Sequence, residues 1–167
     1  MLAHKEDDAA EGLILLGMGN AFHDVLCTML ESAHLLRDME RDEIEILAQY
    51  AGAYEARPGT RIFKEGERGS FMCIVVEGRV DIIKEGGKKI STIRPGKTMG
   101  EMSVIDGFPY SASAVSVEKT RLVYITRSNF EKLSEEQPKI ANHFFHQIAK
   151  LMSLRLRQTT GILCDYL

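Results

Sequence analysis

The stretch Gly100-Glu101-Met102-Ser103-Val104-Ile105-Asp106-Gly107-Phe108-Pro109-Tyr110-Ser111-Ala112 decides the fold. It begins with a glycine and a buriable carboxylate and has room for one turn of helix. It then closes with Pro-Tyr-Ser-Ala leading into a strand. A short helix in this setting aims free backbone N–H groups at an anion. Ser111, with the amides of Ser111 and Ala112, can donate from the other side, and Glu101 is placed to accept from a sugar hydroxyl. An anion and a hydroxyl held within one short loop point to a nucleotide.

Outward from this loop the chain reads as strand. Segments 54–57, 61–64, 71–76, 80–84, 89–93, 112–117 and 122–126 are short and rich in β-branched and aromatic residues. Pro58-Gly59, Gly66, Gly78, Gly86-Gly87 and Pro95-Gly96 separate them. Many short strands with regular turn signals predict a closed antiparallel roll rather than βαβ units. The run 71–76 is apolar almost throughout, so it should lie inside. Val80, Ile82 and Ile83 after Gly78 suggest a hairpin with it.

Both flanks read as helix. Phe22, Val25, Leu26, Met29 and Leu30 recur at helical spacing over 20–36, with Asn20 as the expected cap. A second helix over 41–51 turns Ile44, Leu47, Ala48 and Ala51 inward. After the strands, Ser128-Asn129-Phe130-Glu131 is a capping-box pattern. Pro138 suits the first turn of a long helix carrying Ile140, Phe144, Phe145, Ile148, Leu151, Met152 and Leu156. Gly161 is expected to end or bend that helix. The fold class is therefore α+β, mainly β. It is an antiparallel roll, jelly-roll-like, flanked by N-terminal helices and a long C-terminal helix. The divisions are an N-terminal extension (1–31), the roll with its short helices (32–137) and a lid or dimerisation helix with its tail (138–167).

Composition bounds the function. The chain has 167 residues and a formal net charge of −3, which advertises no nucleic-acid surface. Cys27, Cys73 and Cys164 are scattered, with no C-x-x-C pair, as in reduced thiols of a cytoplasmic protein. The apolar stretch Leu13–Met18 is too short to span a bilayer, and the acidic residues before it have the wrong sign for a signal peptide. The first dozen residues are expected to fray. His143 and His146 stand i, i+3 on the long helix with no third ligand nearby, so no metal is expected. No catalytic triad or P-loop pattern occurs, and the chain is read as non-enzymatic.

The whole resembles the cyclic nucleotide-binding domains of bacterial catabolite activator proteins and of cyclic-AMP-dependent protein kinase regulatory subunits. Their cassette runs Gly-Glu-(apolar)-(Ala/Ser)-(apolar), a short loop, then Pro-Arg-(Ser/Ala)-Ala. Gly100, Glu101, Met102, Ser103, Val104, Ile105, Pro109, Ser111 and Ala112 fit it. Tyr110 stands where that family places its phosphate-pairing arginine, and Lys97 or Arg94 of the neighbouring turn are the candidates to replace the charge. The run Arg155-Leu156-Arg157-Gln158-Thr159-Thr160 is similar to the Arg-Leu-x-x-Thr-Ser run that closes over adenine in the bacterial activators. The resemblance implies that Arg155 approaches the ligand, that Thr159 bonds the purine edge, and that Thr160 does so from a partner subunit. By the same comparison Ser91 and Ile93 face the base.

The resemblance implies a stand-alone sensor of cyclic AMP or cyclic GMP, with no metal, signalling through its last helix to an effector protein of unknown identity. A homodimer through that helix, no direct DNA binding and no membrane contact complete the expectation. The few residues after Gly161 are too short for a helix-turn-helix module. The rival reading is a ligand-free interaction module in which Tyr110 has ended nucleotide binding.

Overall fold

The computed structural model describes residues 12–164, the side chain of Leu163 excepted. The expected fraying of the first dozen residues falls almost wholly outside that range. Among the described residues nine strands form two antiparallel sheets. The larger has β1 (Leu13–Met18), β2 (Gly52–Ala56), β9 (Thr120–Thr126), β4 (Phe71–Glu77) and β7 (Thr98–Met99), paired in that order. The smaller has β3 (Arg61–Phe63), β8 (Ser113–Ser116), β5 (Val80–Ile83) and β6 (Lys89–Ile93). The helices are α1 (His23–Glu31), α2 (Arg41–Ala48), α3 (Glu101–Asp106), α4 (Arg127–Glu136) and α5 (Pro138–Cys164).

Strand periodicity divides the interior in two. On β9, Leu122 and Tyr124 point into the roll, while Val123 and Ile125 pack beneath the helices. On β4, Cys73 and Val75 face the roll, and Met72 and Ile74 the helices. This two-sided burial is why 71–76 reads as a continuous apolar run. The helical layer closes over the sheet with Leu26, Leu30, Leu36, Leu47, Leu133, Phe144 and Ile148, each at most 2% exposed.

Several expectations move. Leu13–Met18 is a strand on the edge of the larger sheet, paired with β2, and the two-residue β7 was not anticipated. No β4–β5 hairpin forms: β4 pairs with β9 and β7, and β5 with β6 and β8, so Gly78 carries the chain from one sheet to the other. The first helix begins at His23, after a 3₁₀ turn that contains Asn20, and Asn20 does not cap it. The cap of α4 is Thr126, whose Oγ1 accepts from the Asn129 amide at 3.0 Å, two residues before the expected Ser128. Pro138 opens α5 as its pattern requires, but Gly161 neither ends nor breaks the helix. A second capping interaction holds α2: the Glu40 amide donates to Glu43 Oε2 at 2.9 Å. The Glu43 carboxylate also meets His143 Nδ1 at 2.8 Å, tying α2 to α5. Among the described residues no helix is long and apolar enough to cross a membrane, and no cluster of three or more metal-ligating side chains occurs.

Candidate functional site

The 100–112 loop lies between β7 and β8. Gly100 has φ +79, and a Cβ there would stand 2.9 Å from the Phe71 carbonyl oxygen. Only glycine holds that left-handed position without strain. The chain then turns into the six-residue α3. Gly69 is the second close approach: a Cβ on it would lie 1.9 Å from Ser103 Cβ, so α3 rests directly on the Gly69 backbone.

These constraints frame a cavity of about 650 Å³, within the range of small-molecule sites. Its walls contain Gly100, Glu101, Met102, Ser103, Tyr110, Ser111 and Ala112 from the loop, and Ser91 and Ile93 from β6. Arg155 and Thr159 reach it from α5. Thr160, to which the resemblance gives a contact with the base, does not line the cavity; its hydroxyl donates back to the Leu156 carbonyl at 2.9 Å. Thr159 likewise donates to the Arg155 carbonyl at 3.0 Å while facing the cavity. Arg94 and Lys97 are not among the lining residues. Gln158, Ile162, Ile82, Thr98, Met99 and Phe63 also contribute and were not anticipated. Spacing could have found two of them, since Arg155, Gln158, Thr159 and Ile162 follow the i, i+3, i+4, i+7 rule of one helix face.

Glu101 is 2% exposed. Its Oε1 forms an ion pair with Arg155 Nη1, and Oε2 is buried with no hydrogen-bond partner among the described residues. Arg155 Nη2 also donates to the Thr98 carbonyl at 2.8 Å. Burial pulls the Arg155 guanidinium below its usual range. An orphaned carboxylate oxygen in a dry wall is costly and asks for a donor.

The Tyr110 hydroxyl is directed at the backbone of Ser70 and Phe71. Its ring stacks on Phe63 with centroids 4.1 Å apart and meets Phe71 edge-on at 6.0 Å. Its hydroxyl donates to the Phe71 carbonyl at 2.8 Å and accepts from the amides of Phe71 and Ser70 at 3.1 and 3.3 Å. Burial pushes its phenol up, against the pull of those two backbone groups. The aromatic ring is part of the cavity wall and leaves the hollow open.

The proximal part of α5 is anchored by Ala141, Phe144, Gln147 and Ile148. Beyond Met152 the helix faces the cavity with Arg155, Gln158, Thr159 and Ile162 and is otherwise open to solvent. From Ser153 to Ile162 every side chain is exposed except that of Arg155. Phe145, Leu154, Leu156 and Ile162 are large apolar groups left uncovered.

Comparison with known proteins agrees with this geometry. The family model "Cyclic nucleotide-binding domain" matches residues 54–137. The Cyclic AMP receptor protein of Thermus thermophilus is 29% identical over 133 residues, covering 77% of this chain and 60% of its own length. A CRP-like cAMP-activated global transcriptional regulator of Mycobacterium tuberculosis is 27% identical over 141 residues, covering 82% of this chain and 61% of its own. The chain thus spans about three fifths of the length of these relatives. A crystal structure of a cyclic nucleotide-binding domain from Methylobacillus flagellatus superposes with a TM-score of 0.80 at 26% identity, over 93% of this chain and 90% of that one.

Proposed function

The chain belongs to the cyclic nucleotide-binding domain family, and from that membership we propose that its cavity binds a cyclic purine nucleotide, with cyclic AMP as the first candidate. The observation that carries this is Glu101, buried in the cavity wall with Oε2 lacking a donor. A ribose hydroxyl is a donor of the right size and polarity. Ser111 and the backbone beside it receive the cyclic phosphate. The base lies between Ser91 and Ile93 on one side and Thr159 on the other.

Binding acts as a signal through α5. A ligand shifts a two-state equilibrium only by its differential affinity for the two states. The distal helix meets the rest of the domain through Arg155 at the cavity, so a ligand that touches Arg155 has that differential affinity. The uncovered apolar groups of α5 suit a homodimer through this helix, and an effector protein takes the output. Hydrogen exchange of α5 with and without cyclic AMP or cyclic GMP tests the scheme. Protection of the amides beyond Met152 is expected on binding. Unchanged exchange there at saturating ligand removes the signalling role.

A second reading has its own observation. The Tyr110 hydroxyl is fully engaged within the protein, as suits a ligand-free interaction module. Tyr110→Arg discriminates: a silent wild type beside a cyclic-AMP-binding variant identifies a retired pocket.

A further inference from the structure

We infer that Arg155 supplies the positive charge for the ligand's phosphate in place of position 110, so that phosphate recognition in this chain is carried by the C-terminal helix. This rests on the cyclic nucleotide reading above and names the residue that makes it possible.

The cavity carries few charges. Among the described residues, its walls hold three formally charged side chains: Glu101, Asp106 and Arg155. A phosphodiester monoanion entering this space meets two carboxylates and one guanidinium. Position 110 offers no help, because the one phenolic hydrogen of Tyr110 is committed to the Phe71 carbonyl and the oxygen already accepts two amides. Lys84 stands close to the loop, with Nζ 2.7 Å from the Ser111 carbonyl, but it pairs with Glu65 and lies outside the cavity lining. Among the described residues that line the cavity, Arg155 is therefore the one cation.

The guanidinium has the capacity to take this role. It carries five N–H donors in a planar fork. Glu101 and Thr98 engage Nη1 and Nη2, which leaves donors for a phosphate oxygen. The ribose hydroxyl that comes with the phosphate supplies Glu101 with the donor its Oε2 lacks. Ligand and guanidinium then share the carboxylate, and the carboxylate and the phosphate both face the one guanidinium. The consequence is regulatory. Where the phosphate-pairing cation sits in the loop, the phosphate can be held whatever the last helix does. Here the cation rides on that helix, so affinity and helix position are linked by necessity.

Titration calorimetry on the full chain tests the inference, with cyclic AMP and adenosine as probes. Arg155→Gln is expected to weaken cyclic AMP binding about 10- to 100-fold, the scale of a lost charge-assisted contact, while adenosine binding changes less than about threefold. Arg155→Lys, which keeps the charge, retains most of the affinity and guards against a folding defect in Arg155→Gln. Adding Tyr110→Arg to Arg155→Gln restores cyclic AMP binding, whereas the same change in the wild type adds much less. This rescue decides the matter even where adenosine binds too weakly to measure. Three results overturn the inference: Arg155→Gln binds cyclic AMP as the wild type does; Tyr110→Arg helps both backgrounds equally; or Lys84→Gln, not Arg155→Gln, removes the affinity. A wild type that binds no cyclic nucleotide is a separate outcome. It defeats the functional reading itself and this inference with it.

Discussion

Replacing Tyr110 by phenylalanine separates a structural hydroxyl from a ligand-binding one. The substitution keeps the ring stacked on Phe63 and removes one oxygen. That oxygen makes three contacts, the donation to the Phe71 carbonyl at 2.8 Å being the shortest. Tyr110 is 4% exposed, so water cannot readily replace the hydroxyl and the Phe71 groups are left with an unmade hydrogen bond. Stranding a buried polar group costs about 1–3 kcal/mol. For a chain of this size each kcal/mol lowers the melting temperature by about 2–4 °C, so Tyr110→Phe should lower it by roughly 2–12 °C. Because the hydroxyl is directed at Phe71 and not at the ligand, affinity for cyclic AMP should stay within about twofold. Thermal melts, urea midpoints and calorimetry on the two proteins measure both quantities. A variant as stable as the wild type but several-fold weaker for ligand would refute this reasoning, since the hydroxyl would then serve the phosphate.

Other perturbations probe the frame around the site. Gly69→Ala places a methyl group on Ser103 Cβ and should push α3 outward, costing about 1–3 kcal/mol by overpacking and weakening the ligand more than any surface change does; calorimetry and denaturation together check this. Phe144, fully buried on the inner face of α5, should cost about 3–5 kcal/mol when truncated to alanine, measured by urea unfolding. Tyr50 donates to Glu136 Oε2 at 2.6 Å, and that hydrogen bond, then burial, pushes its phenol up to about 12. The folded state therefore holds this proton more tightly than the unfolded chain, whose tyrosines titrate near pH 10. The stabilisation is complete below about pH 10 and is lost as the pH rises toward 12. Urea midpoints over that window should fall more steeply for the wild type than for Tyr50→Phe, and equal slopes would remove the pair as the cause.

Much of the fold can be read from local signals. Glycine and proline breaks mark the roll strands because each turn needs a backbone conformation other residues avoid. The doubly buried β4 announces itself as an unbroken apolar run. The misses have physical reasons. Leu13–Met18 does not alternate and has no β-branched enrichment beyond Ile14, so only its pairing with β2 makes it a strand. Thr98–Met99 is too short to carry a period. Gly161 stays helical because a glycine inside a helix costs only about 1 kcal/mol and does not by itself stop it. Thr126 caps α4 because β9 ends there, a boundary that the Ser128 pattern does not see.

The site divides in the same way. Gly100, Glu101 and Ser111 lie within one loop and are legible as a group. The Glu101–Arg155 pair joins residues far apart in sequence, and neither residue alone shows that they meet. The inward turn of Tyr110 depends on Phe63 and Phe71, aromatic partners from two different sheets. Position 110 therefore reads in sequence only as a missing arginine, while in the fold it is a hydroxyl anchored to the strand beneath it.

The most direct test is calorimetric titration of the unmodified chain with cyclic AMP and cyclic GMP, with Glu101→Gln in parallel. Saturable heat with one site per chain, weakened at least tenfold by Glu101→Gln, is the expected result. No heat at millimolar ligand, or equal affinity in the two proteins, contradicts the account.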